Sequence, residues 1–223
     1  MTGPASYVAP LTLALAPLTL ALAALLWPSS HCLAMTATGG PGHSRDDFNY
    51  FAYGSNLLRG RLLLQNPTAV QVSVGCLKGY RLAFGQIIGN SSRWGGAVAT
   101  IIPSPNEEVW GVIWCLKAAN RQSLDDQEGV EEGIYSPMEV QVEQKDREGG
   151  EIICLTYQMN HFNASLTSPL YKEVIIRGAR ESGLPSEYIK KLDTILTNNF
   201  NETTPFTMQI SEILLQQQNN TAT

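Results

Sequence analysis

The chain has 223 residues, room for one domain of ordinary size with extra segments at its ends. Its composition is globular, 43% hydrophobic and 16% charged, with a formal net charge of -5 and no Lys/Arg stripe. That balance excludes a nucleic-acid partner, whose binding rests on neutralised phosphates, and the scattered His31, His43, His161 and cysteines offer no zinc-ligand spacing.

The first element is apolar and uncharged, from Tyr7 to Trp27, and breaks at Pro28-Ser29-Ser30. Cys32-Leu33-Ala34 places small residues where a signal peptidase cuts, so residues 1–34 are read as a signal peptide and the product as secreted. The segment lacks the usual basic start, and it approaches the roughly 20 residues that a membrane span needs. An uncleaved anchor, or a cytoplasmic product starting at Met35, are therefore the alternatives; after cleavage no stable span is expected. Four N-x-[ST] triplets, at Asn90, Asn163, Asn201 and Asn219, are candidate glycosylation sites and are expected in loops or the tail. Cys76, Cys115 and Cys154 sit in apolar runs and read as buried core thiols, with no disulfide framework.

Residues 35–47 are rich in Gly, Pro, Ser and Thr and read as a flexible leader. Phe48 to Tyr53 is a short buried strand entering Gly54-Ser55. Asn56 is positioned to cap a helix that holds Leu57, Leu58, Leu62 and Leu64 and stops at Asn66-Pro67. In that helix Arg59-Gly60-Arg61 is basic, and the glycine costs about 1 kcal/mol. Ala69 to Phe84 reads as a strand with a break near Gly75 or Gly79. Gly96 to Ile102 and Glu108 to Leu116 read as a hairpin around the turn Pro103-Ser104-Pro105-Asn106. Lys117 to Gln127 fits a helix, Ser136 to Glu143 and Glu151 to Met159 a second hairpin. Pro169 to Ser182 and Pro185 to Thr197 fit two helices opened by proline. Residues 198–223 are Asn/Gln/Thr-rich and are expected to be mostly disordered. Strands early and midway with a helical end predict an α+β domain over residues 48–197.

Two segments could carry chemistry. The corner Tyr53-Gly54-Ser55-Asn56 offers free backbone N–H groups and a helix N-terminus, which suits a carboxylate or an oxyanion; it also reads as an ordinary capped corner. In Leu124-Asp125-Asp126-Gln127-Glu128-Gly129-Val130-Glu131-Glu132, five carboxylates within eight residues would raise one another's pKa if partly buried. Gly129 and Val130 suggest that the chain turns inward after Glu128, making it a candidate general base. The plain alternative is a solvated acidic helix end.

Phe51-Ala52-Tyr53-Gly54-Ser55-Asn56-Leu57 resembles the glycine loop of γ-glutamylcyclotransferases, and Leu124 to Val130 resembles their catalytic-glutamate segment. The likeness continues through Glu108-Val109-Trp110-Gly111-Val112, Ser168-Pro169-Leu170-Tyr171-Lys172 and Gly183-Leu184-Pro185, in the family's order, and the flanks look most like the γ-glutamyl amino acid branch. The resemblance implies a small mixed β-barrel with surrounding helices, no metal and no organic cofactor. It implies a small-molecule γ-glutamyl substrate cyclised to 5-oxoproline, with Glu128 as the proton shuttle. The loop Tyr50, Phe51, Ala52, Tyr53, Gly54 and Ser55 would then bind substrate, with Tyr135, Tyr157 and Tyr171 lining the pocket. A non-catalytic secreted binding module of the same fold, or a sister enzyme acting on γ-glutamylamines or glutathione, are the competing expectations. Homodimerisation is left open.

Overall fold

The computed structural model describes residues 47–87, 92–147 and 150–221. The signal peptide, all of the leader but Asp47, and Asn90 lie outside them. Strand β1 (Phe48–Ala52) pairs antiparallel with β3 (Val98–Leu116) and parallel, at Tyr50↔Leu155, with β5 (Glu151–Met159). β5 pairs antiparallel with β4 (Tyr135–Gln144), β4 with β2 (Val70–Ile87), and β2 with β3. The order β3-β1-β5-β4-β2 thus returns to β3 and closes a five-stranded mixed barrel. A short strand β6 (Phe162–Ala164) extends β2 at one end. Closure leaves these five strands without an open edge, and Phe51, Ile101, Ile113, Trp114 and Val142 on them are all fully buried.

β3 is one strand of 19 residues, not the expected hairpin. Tyr80 faces Pro103 and Lys78 faces Glu108, so residues 104–107 form an outward bulge opposite Gly79, which has φ 79°. A bulge accommodates proline, which cannot donate to a ladder, so the Pro-Ser-Pro-Asn run bends the strand and does not reverse it.

Helix α1 (Arg59–Leu63) is short and follows a 3-10 turn at Ser55–Leu57; α2 (Arg121–Glu128) fills the connection from β3 to β4. Helices α3 (Pro169–Glu181) and α4 (Ser186–Asp193) pack outside the barrel. α3 opens with Pro169 at its first turn and Ser168 as cap, the hydroxyl accepting from Tyr171 N at 3.2 Å. It presses on the 3-10 turn so closely that a Cβ at Gly178 would lie 2.4 Å from Leu58 N. Leu57, Leu58 and Leu62 are fully buried there, each stabilising by about 1.5–3 kcal/mol. The corner after β1 is therefore clamped from outside.

The polar tail, expected to be mostly disordered, carries a helix. Helix α5 (Pro205–Thr221) buries Ile210 and Leu214 in the core cluster. It lies over α1, where a Cβ at Gly60 would come within 2.6 Å of Ile213 Cγ2. A glycine unfavourable to an isolated α1 is what lets α5 dock. Composition missed this because two or three apolar side chains suffice when a ready surface receives them.

Cys76 and Cys154 are buried free thiols, but Cys115 is disulfide-bonded, contrary to the reading of its apolar run. Asn163 lies in β6 and not in a loop; it and Asn201 are exposed. The Asn219 side chain lies outside the described residues. Among the described residues no helix is long and apolar enough to cross a membrane.

Candidate active site

α2 ends on Gly129 in the left-handed conformation, φ 65°, with Val130 N donating to Asp125 O at 3.1 Å. This termination places Glu128 on the last helical residue, its side chain turned toward the corner after β1. There Asn56 Nδ2 donates to Glu128 Oε1 at 3.1 Å, and Gln127 Nε2 donates to the same oxygen at 3.2 Å. Gln127 also donates to Asn56 Oδ1 at 3.0 Å and accepts from Arg61 NH1 at 3.3 Å. Among the described residues Oε2 accepts no hydrogen bond. One carboxylate oxygen is held and the other is free to carry a proton.

Burial raises the Glu128 pKa from its ordinary value; Arg61, the Gln127 and Asn56 hydrogen bonds and Arg93 oppose that rise. The acidic neighbours are not its cause. Asp125 is paired with Arg121 at 3.0 Å, and Asp126 accepts from Gln122 at 2.7 Å on the exposed side of α2. The local crowding of carboxylates is thus not what sets Glu128 apart; its burial is.

Glu128 stands where a small recess of about 30 Å³ meets an outer cavity of about 490 Å³. Tyr50, Tyr53, Gly54, Ser55, Tyr135, Tyr157 and Tyr171 line the recess together with Asn56 and Glu128. Phe51 and Ala52 do not. Both are buried in the β1 ladder opposite Ile113 and Val112, so their backbone groups are already committed. The short helices also offer little macrodipole. What remains of the expected anion cradle is the turn from Tyr53 to Ser55. A Cβ at Gly54 would lie 3.1 Å from both Tyr171 Oη and Ala99 Cβ, so glycine keeps the recess from filling.

The tyrosines divide by how their hydroxyls are used. Tyr53 donates to Tyr157 O, Tyr135 to Ala99 O at 2.6 Å, and Tyr157 to Asp125 Oδ1 at 2.5 Å. Tyr50 instead accepts from Asn56 at 2.9 Å, and Tyr171 accepts from Ala99 N at 3.0 Å. Their own protons are unspent among the described residues. Burial, then the nearby Glu128 charge, raise the Tyr50 pKa well above its usual value. Burial pushes Tyr171 up to about 12, with Ala99 opposing and Glu128 adding. Both stay protonated at neutral pH and can donate to a substrate oxygen.

Asn56, Gln127, Arg61 and Arg93 are members of this site that sequence reasoning did not single out. Asn56 was taken for a helix cap, yet no side chain caps that turn. Its buried amide instead reaches a residue 72 positions away.

The AIG2-like family matches residues 108–192. Curated proteins named γ-glutamylcyclotransferase are 50% identical over 156 residues in Bos taurus and 47% over 163 residues in Mus musculus. Those matches cover 70% and 73% of this chain and 82% and 86% of the relatives. A solved structure named γ-glutamyl cyclotransferase superposes with a TM-score of 0.72 at 42% identity, covering 76% of this chain and 99% of that one. The chain belongs to the γ-glutamylcyclotransferase family.

Proposed function

We propose that the chain converts L-γ-glutamyl amino acids into 5-oxoproline and a free amino acid. The observation that carries this is Glu128, desolvated, clamped at Oε1 by two amides and open at Oε2, between a tyrosine-lined recess and a larger cavity. Intramolecular aminolysis needs little more. Nucleophile and electrophile share one chain, and correct orientation supplies effective molarities of about 10⁵ M or more.

The substrate α-ammonium, with a pKa of about 8, is mostly charged at neutral pH. Glu128 Oε2 takes one proton from it, a transfer that burial favours by raising the carboxylate's basicity. The freed amine attacks the γ-carbon, forming the ring C–N bond while the carbonyl electrons move to oxygen. Tyr50 and Tyr171 can donate to that oxyanion. Collapse breaks the bond to the leaving nitrogen, and Glu128 delivers its proton there. A second proton lost by the ring nitrogen completes the departing amino acid's ammonium.

Incubation with γ-glutamyl-alanine, glutathione and ε-(γ-glutamyl)-lysine, with 5-oxoproline measured, tests the reading. Release from γ-glutamyl-alanine ahead of the other two is the expected outcome. A folded protein that forms 5-oxoproline from none of them is a binding module and not an enzyme.

We also propose that the chain is exported, on the strength of its apolar first segment and the exposed Asn163 and Asn201. Intact mass of the native protein checks this: Met1 retained without glycan would contradict it.

A further inference from the structure

The outer cavity holds positive charge for which the steps above have no use. Arg61 is 3% exposed, and its Nε is buried without a hydrogen-bond partner among the described residues. Arg93 faces the same cavity from the segment before β3, its guanidinium carbon 4.5 Å from the Phe206 ring centroid. Trp94, next to it, packs edge-on against Tyr171 at 4.8 Å and Phe206 at 4.7 Å. Arg93 is thus held by aromatic contacts that join α3 to α5.

Among the described residues neither arginine forms an ion pair. Burial lowers the pKa of both; Arg93 lowers that of Arg61 further, while Glu128 raises each. Two cations therefore share one cavity with each other and with a single desolvated acid. Asp126 and Glu132 also line it, but both are exposed at its rim. A desolvated guanidinium with unspent donors is a site for a planar anion.

A γ-glutamyl amino acid brings two carboxylates. The glutamyl one belongs to the half that curls into a ring, beside the tyrosine recess. The other is carried by the carbon bonded to the leaving nitrogen. Since Glu128 protonates that nitrogen, this carboxylate lies a few bonds from Glu128 on the outward side, where the arginines are. We propose that Arg93 and Arg61 form the subsite for the α-carboxylate of the leaving amino acid, making Arg93 a specificity-determining residue for γ-glutamyl amino acids over γ-glutamyl amines. This rests on the cyclotransferase reading.

Two substrates test it: γ-glutamyl-alanine, and γ-glutamyl ethylamide, the same molecule with hydrogen in place of that carboxylate. Arg93 is exposed, so Arg93→Gln should fold; a circular-dichroism melt checks this. In the variant, KM for γ-glutamyl-alanine rises about tenfold and kcat stays within about twofold, as for a lost charge-assisted contact. For the ethylamide kcat/KM stays within about twofold. Equal losses on both substrates, no loss on either, or a wild type indifferent to the carboxylate each overturn the subsite. A wild type that cyclises neither substrate overturns the cyclotransferase reading, and the subsite with it.

Discussion

Two cavities of this molecule have the same volume, about 490 Å³, and both are walled by acids and bases. In the groove around Cys76, Lys78, Glu108 and Glu143 those four side chains are matched, and Arg147 and Glu151, which also line it, stand exposed to solvent. Lys78 pairs with Glu143 at 2.7 Å, both exposed. Glu108 accepts from the Cys76 thiol at 3.4 Å and from Trp110 Nε1 at 2.8 Å. Around Glu128 the capacity is left over among the described residues: one carboxylate oxygen, two tyrosine protons and the buried Arg61 guanidinium, which forms no ion pair. Size and number of charges do not separate the two places. Unspent hydrogen-bonding and charge capacity, held out of water, does.

The sharpest test of that contrast is Glu128→Gln, which keeps the Oε1 acceptor for Asn56 and Gln127 and removes the proton shuttle. We expect kcat to fall by about 10²–10⁴. Stability should move the other way. A carboxyl whose folded pKa is raised contributes stability below its unfolded pKa and loses it as pH rises toward the folded value. At pH 7 the variant should therefore melt no lower than wild type, and below the ordinary carboxylate range the gap should close. A variant that keeps turnover would break the contrast outright. Next in size, Asn56→Ala removes one of two clamps on Oε1 and the donor to Tyr50. Turnover should drop about tenfold or more, with smaller change in KM, as expected for lost orientation. Arg61→Met removes the largest influence holding the Glu128 pKa down, so the acid limb of the kcat/KM profile should move to higher pH. A profile that stays in place would deny the arginine its electrostatic part. Smallest of all, Lys78→Met in the second groove should leave kcat/KM within about twofold. A larger loss would mean that matched groups matter here too.

Much of this was legible in sequence because it is local. The β1–Gly54 corner, the Gly129 stop after Glu128, the β4–β5 hairpin and the proline starts of the later helices are patterns within a few residues. What escaped depends on partners far along the chain. Asn before a leucine-rich helix is the usual cap, and only the arrival of α2 turns Asn56 toward Glu128 instead. Pro103 and Pro105 mark a turn in isolation, and only the bulge of β3 opposite Gly79 absorbs them into a strand. The tail looked too polar to fold because α1, its receiving surface, cannot be seen from the tail's own residues. Phe51 and Ala52 sit inside the most telling motif, yet the ladder with β3 consumes them.

The parallel contact between β1 and β5 has a consequence for how the protein is made. Tyr53 bonds to Tyr157 across 104 positions, and Asn56 reaches Glu128 across 72. Such high contact order delays assembly until distant segments meet. During vectorial synthesis at about 5–20 residues per second, the glycine corner waits several seconds for its acid and longer for the strand that seals the barrel. A nascent chain stalled before β5 is therefore catalytically silent, and chemistry begins only after the wall has closed.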